Sequence, residues 1–217
     1  MSHFTFNSKI TVGASLPQFD QATVKNEPML FNCDLEHAFR EGGEITRAFI
    51  AALTGGEQVV GQEIIIDTRV HMLMPTWFPC IPGWHHDDVA RTRSDGQPDY
   101  RTAPVTQHCM ALIGGEIAPT QFALGEASFE EVPLGSTVYG VWHHEVERLI
   151  ADGKLYRYSA HSNRCIYFDS HAWHQGVQAV GNGWRWFGRA SWNTSRRPTN
   201  EMRAQVQVYL PFPMAGW

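Results

Sequence analysis

No two cysteines lie close enough in this chain to form a CxxC unit. Cys33, Cys80, Cys109 and Cys165 stand far apart, which excludes a zinc knuckle or a redox dithiol and leaves buried free thiols. An excess of positive charge is also missing. With a net charge of -5 and a pI near 6.1, the chain has no long-range pull toward phosphate backbones or anionic lipid, so it carries no nucleic-acid signal. No apolar run approaches bilayer length, and "MSHFTFNSKITVG" lacks the basic-then-apolar pattern of a leader; a soluble, cytoplasmic protein is expected. Repeats, low-complexity tracts and linkers are absent too, so residues 1–217 read as a single domain, long enough to bury a core without staples.

What is present is apolar and aromatic. Apolar residues make up 43% of the chain against 18% charged, with 8 Trp and 12 Phe, the composition of a folded globule. Strand-length apolar stretches recur at Thr68 to Met74, His108 to Gly115 and Arg164 to Asp169. In "MRAQVQVYL" the residues Met202, Ala204, Val206, Val208 and Leu210 alternate with polar ones, which predicts a strand with one wet face. Helices are expected in two places. One begins at Asp34 as N-cap and is broken in two by Gly42 and Gly43; the other begins at Ser136 and ends at Gly153, with Val138, Val141, Trp142, Val146, Leu149 and Ile150 as its stripe. Many short strands and few helices predict a mainly β fold, a barrel or jelly roll with flanking α-helices.

The chemistry concentrates in two places. "PGWHHDDV" sets two histidines before two aspartates; either His85 with Asp87 or His86 with Asp88 puts an imidazole and a carboxylate on one side of an extended segment. A solvated turn is the plain alternative. In "FDSHAWHQGVQAVGNGWRWFGRASW", His171 and His174 both qualify by type as a third ligand. A Gly-Asn-Gly turn at 181–183 then leads into a strand that places Arg185, Phe187, Arg189 and Ser191 on one face. Two guanidiniums facing a barrel interior are costly unless they meet an anion, and arginine's planar fork suits a carboxylate; otherwise they face solvent while Trp184, Trp186 and Trp192 build the core. "HHEVER" is superficially similar to the HExxH of zinc proteases but has Arg148 where the second imidazole is needed, so His143 and His144 are read as ordinary helix residues.

A His-x-Asp pair after an early strand, a distal His, and a later strand carrying Arg-x-Ser together resemble the Fe(II)/2-oxoglutarate-dependent dioxygenase superfamily. "WHHD" looks more like the phytanoyl-CoA hydroxylase group, and His174 followed by Arg185 and Arg189-Ala190-Ser191 is similar to the taurine dioxygenase group. The resemblance spans Thr68 to Thr194. It implies a double-stranded β-helix with His85, Asp87 and His174 holding Fe(II), the Trp before His85 favouring that register over His86 and Asp88, and the spacing to the arginines favouring His174 over His171. It further implies 2-oxoglutarate as co-substrate, cleaved by oxygen to succinate and carbon dioxide while a C–H bond of a small-molecule substrate is hydroxylated. Arg189 with Ser191 is then the anchor of the distal carboxylate, Arg185 its helper or part of the wall, and Thr120 in "APTQFALG" a further hydrogen bond, unless it is an ordinary strand threonine. A cupin-like metalloprotein without an oxo acid and a non-catalytic jelly-roll binding protein are the competing expectations. The polar loop "ARTRSDGQPDYRTAP" is expected at the mouth of the site, where Arg91, Arg93 and Arg101 are candidates to meet an anionic substrate.

Overall fold

A computed structural model describes residues 3–56, 59–101 and 105–211. Its elements, in chain order, are β1 (His3–Ser8), β2 (Thr11–Ser15), α1 (Gln21–Asn26), β3 (Leu30–Phe31), β4 (Cys33–Asp34), α2 (Leu35–Glu41), α3 (Glu44–Thr54), β5 (Ile65–Leu73), β6 (Gln107–Ile113), β7 (Thr120–Glu130), α4 (Val138–Ala151), β8 (Tyr156–Ser159), β9 (Arg164–Asp169), β10 (Trp173–Gly176), β11 (Gly183–Trp192) and β12 (Glu201–Met202). The protein is mainly β. A six-stranded sheet runs β2-β9-β6-β11-β5-β4, a four-stranded sheet is built on the long β7 with β1, β8 and β10, and β12 pairs with β3. The described pairings are all antiparallel. They do not close the two main sheets into one ring.

β11 lies at the centre of the large sheet, and both of its faces are used. Trp186, Ala190 and Trp192 pack with Ile66 and Val70 of β5 against Val24 of α1 and Ile45, Phe49 and Leu53 of α3. The Trp186 and Phe49 rings meet edge to face at 5.7 Å, a favoured aromatic geometry. Gly188 is required there: a Cβ would lie 2.2 Å from the Trp186 indole. The tryptophans therefore form the helix-covered core, as the alternative with solvent-facing arginines expected. The opposite face, with Arg185, Phe187 and Arg189, points into a cavity rather than into solvent.

The paired helices α2 and α3 follow the sequence closely. Asp34 caps α2 by accepting from the His37 N–H. Gly43 supplies no side chain to cap α3, and Glu27 does so from a distance, accepting from the N–H groups of Gly43, Ile45 and Thr46, which also places a negative charge at the positive end of the helix. At α4 the expected Ser136 cap is not found. The N-cap is Thr137 without a side-chain bond, and the Gln97 side chain accepts from the Val138 N–H instead. Val141 also falls off the buried stripe.

The strand expected over Met202 to Leu210 is largely absent. Only Glu201 and Met202 are paired, with Phe31 and Leu30, and Tyr209 makes one isolated bridge to Phe78. Alternation alone did not suffice because, among the described residues, the antiparallel partner β3 begins at Leu30 and no strand directly precedes it to receive the ladder beyond Met202; Met202 remains 53% exposed. Arg203 turns back to Asp67 and stacks on Phe31, 4.2 Å from the ring.

Candidate metal centre

His85 and His174 are direct cross-strand partners. Their backbones exchange two hydrogen bonds, from His85 N–H to His174 O at 3.0 Å and back at 3.2 Å, which sets both imidazoles on the same side of the pair. Their rings stand 4.7 Å apart at 60°. Each is held by its Nδ1, that of His85 2.8 Å from Gly83 O and that of His174 2.9 Å from Ala172 O. A carbonyl only accepts, so both Nδ1 atoms carry the proton and both Nε2 atoms keep a free lone pair, the tautomer a metal ligand needs. Asp87, two residues on from His85, returns to that side. Its carboxylate oxygens lie 3.8 Å from His85 Nε2 and 3.3 Å from His174 Nε2, and one ligand atom from each of the three residues lies within 4.8 Å of the others. This His-Asp-His group is able to hold a metal ion. Two imidazoles and one carboxylate, open on the cavity side, suit a first-row divalent ion such as Fe(II) with positions left over.

The neighbouring residues diverge. His86 points away into an aromatic cluster, with Nδ1 2.7 Å from Tyr100 Oη and its ring 3.8 Å from that of Trp173. Asp88 has φ 54° and turns outward to Arg196 and Arg189. His171 sits in the same aromatic cluster, beside Phe6 and Tyr100. His143, read from the sequence as an ordinary helix residue, accepts the Trp84 N–H and so braces the loop that carries His85.

The two arginines behave differently. Arg189 contacts Asp87 directly and also lies 3.6 Å from both Asp67 and Asp88. Asp67 is 3% exposed and is shared with Arg196 and Arg203. Burial would raise the Asp87 carboxyl, but the Arg189 charge and the imidazoles outweigh it and hold it well below the usual range. Arg185 is also 3% exposed, yet no carboxylate pairs with it among the described residues. Its Nη2 donates to Thr120 Oγ1 at 3.3 Å, and its Nε has no partner. Burial pushes its guanidinium down to about 10. Ser191 takes no part in the cavity wall; its hydroxyl is 2.9 Å from His108 Nδ1.

A cavity of about 140 Å³ joins these parts, lined by the triad, Thr120, Arg185 and Arg189 with Met110, Phe168 and Phe187 as apolar wall. That is far more than the ~10–15 Å³ one water occupies. Sequence reasoning missed Asp67, Arg69, His71 and Cys80 in this lining; the period-two pattern of β5 was the signal, since it places Asp67, Arg69 and His71 on one face. In the loop after the triad, Arg93 pairs with Asp95 and Arg101 with Glu131, Arg91 faces the outer cleft, and 102–104 lie outside the described residues.

Buried neutral histidines give the site a pH signature. Burial, helped by Arg185 and Arg69, lowers His71 to about 3, and burial lowers His86 and His108 well below their ordinary value. The unfolded chain therefore takes up these protons first. Stability is full above pH ~6.5 and falls below it, by about 1 kcal/mol per histidine for the first unit. Asp67 and Asp87, both depressed, add a further loss only below the ordinary carboxylate range, about pH 4. Urea unfolding at pH 7.5 and 5.5 is expected to show a loss of roughly 2–4 kcal/mol; unchanged midpoints contradict the burial of these rings as neutral groups.

No protein-family model matches the chain, and no curated protein matches it. Among solved structures, iron-bound HygX from Streptomyces hygroscopicus is 13% identical, over 87% of this chain and 83% of that one, with a TM-score of 0.41. At that score the likeness carries no argument about fold or chemistry. Among the described residues, no helix is long and apolar enough to cross a membrane.

Proposed function

We propose that this protein is a non-haem Fe(II)/2-oxoglutarate-dependent oxygenase of the jelly-roll class that hydroxylates a small molecule. One observation carries the proposal: the open side of the His85–Asp87–His174 group shares a cavity with Arg185, a buried guanidinium that has no carboxylate partner among the described residues. A cation in that position is costly alone and favourable once an acid occupies the cavity. The dicarboxylic oxo acid supplies that acid at one end and a metal-chelating group at the other.

His85 and His174 present neutral Nε2 donors, fixed by their carbonyl contacts. Asp87 adds the negative charge, and Arg189 is a positioning residue that holds its carboxylate. When bound, Fe(II) supplies the oxygen-activating and electron-transfer chemistry that no protein side chain provides. Arg185 and Thr120 orient the distal carboxylate, and Met110, Phe168 and Phe187 keep water from the cavity.

Thermal unfolding tests the assignment. Anaerobic Fe(II) with 2-oxoglutarate is expected to raise the midpoint by more than the sum of the two alone, because each completes the other's site. Stabilisation by metal with no further effect of 2-oxoglutarate points to a metalloprotein that does not use an oxo acid. No effect of either points to a binding protein.

A further inference from the structure

Outside the inner cavity, His85 and Asp87 of the triad also border a wider cleft of about 850 Å³, within the size range of small-molecule sites. Arg69 lines both spaces. It lies on β5 between Asp67 and His71, half-buried, with no hydrogen bond or ion pair to any described residue. Arg91, also at this cleft, has among the described residues only the Gly96 carbonyl as acceptor. Asp87 is the one carboxylate among the described residues lining the cleft, and Arg189 already engages it. The cleft is thus cationic close to the triad. Its wall is mixed, with Phe78, Tyr139 and Tyr209 beside His143, His144 and Gln175, and its aromatic part is tied down where Phe78 and Tyr209 exchange backbone hydrogen bonds of 2.8 and 3.0 Å.

We infer that Arg69 recognises an acidic group on the substrate, and that the substrate is a small organic acid with an apolar body. A half-desolvated guanidinium without an acceptor is matched by a carboxylate, sulfonate or phosphonate arriving with the ligand, while the aromatic walls take the rest. Arg185 lies deeper, on Thr120, and Arg69 is shared with the outer cleft, so the two cations select different molecules. The inference rests on the oxygenase assignment for the identity of the reaction, though not for the binding itself.

The test is calorimetry on Zn(II)-loaded protein, a redox-silent stand-in, with phenylacetate, benzylphosphonate and uncharged phenylacetamide as probes. At least one acid is expected to bind about tenfold or more tightly than the amide, a difference of ~1.4 kcal/mol, and the tighter of the two identifies the head group. Arg69→Met is expected to erase the preference and Arg69→Lys to keep part of it, with zinc affinity unchanged in both as the check on folding. Saturating 2-oxoglutarate is expected to leave acid binding in place. The inference is overturned if acid and amide bind alike, if Arg69→Met keeps the preference, or if 2-oxoglutarate competes the acid away, which puts the acid on Arg185. If wild type shows no 2-oxoglutarate binding but the acid preference appears and vanishes in Arg69→Met, Arg69 stands and the oxygenase assignment falls.

Discussion

Asp87→Ala is expected to abolish Fe(II) binding, and Asp88→Ala to leave it within a few-fold of wild type. Two effects combine at Asp87. The substitution removes the only anionic donor of the His85–Asp87–His174 group, and it frees the Arg189 guanidinium, now in contact with that carboxylate, to direct its charge at the metal position. Loss of an outer partner alone typically costs 10–100-fold in metal affinity, so losing a ligand and gaining a facing cation is expected to exceed about 100-fold. Asp88 has neither role. Its carboxylate turns away to Arg189 and Arg196 at 3.6 and 3.5 Å, and its removal weakens a partly exposed ion-pair network. His174→Ala is expected to lose iron as Asp87→Ala does. Metal content after desalting, with circular dichroism to check folding, decides the matter; iron lost from Asp88→Ala and retained in Asp87→Ala places the ligand at Asp88.

Half of this site was legible in the sequence for a simple geometric reason. Period two puts residues 85 and 87 on one side and 86 and 88 on the other, so the motif was bound to split into two pairs. Which pair faces the metal is set elsewhere, by the bridge between His85 and His174, and no local pattern encodes a contact across 89 residues of chain. The same limit applies to the arginines. Their shared face on β11 follows from spacing, but the difference between them is made by Asp67, on β5, paired opposite Arg189. In sequence Asp67 is one polar residue in "IIIDTRV". Ser191 was expected beside the co-substrate because of its spacing to Arg189, and the structure gives its hydroxyl to His108, a residue on the adjacent β6. Short strands such as Trp173–Gly176 carry too little periodicity to be seen alone. Conversely, Met202 to Leu210 has periodicity but, among the described residues, only a ladder pair at Met202 and an isolated bridge at Tyr209, and the partner decides.

The pairing of Arg189 and the isolation of Arg185 lead to opposite expected outcomes for their substitution. Arg189 balances Asp67 and Asp87, so Arg189→Leu leaves buried or half-buried carboxylates short of a counter-charge; breaking such a network by removing one partner costs about 3–5 kcal/mol. Its effect should appear in urea stability and in iron affinity. Arg185 pairs with no carboxylate in the described residues and donates to Thr120, so Arg185→Leu removes a desolvated charge and is expected to be neutral or stabilising in the absence of ligand. It loses the charge-assisted fork for the distal carboxylate, worth a few kcal/mol, on the order of 10²-fold or more in 2-oxoglutarate affinity. Lysine at 185 restores charge without the planar fork and is expected to rescue in part. Thr120→Val removes the acceptor that orients the guanidinium and is expected to cost about 3–10-fold, the span of a single ordinary hydrogen bond. The measurement is 2-oxoglutarate affinity at saturating Fe(II) without oxygen, beside urea unfolding of each variant. Should Arg189→Leu keep wild-type stability and iron yet lose 2-oxoglutarate, the anchor is Arg189. If neither arginine changes that affinity, Arg185 is buried for a reason other than the oxo acid, and the oxygenase assignment loses the observation that carries it.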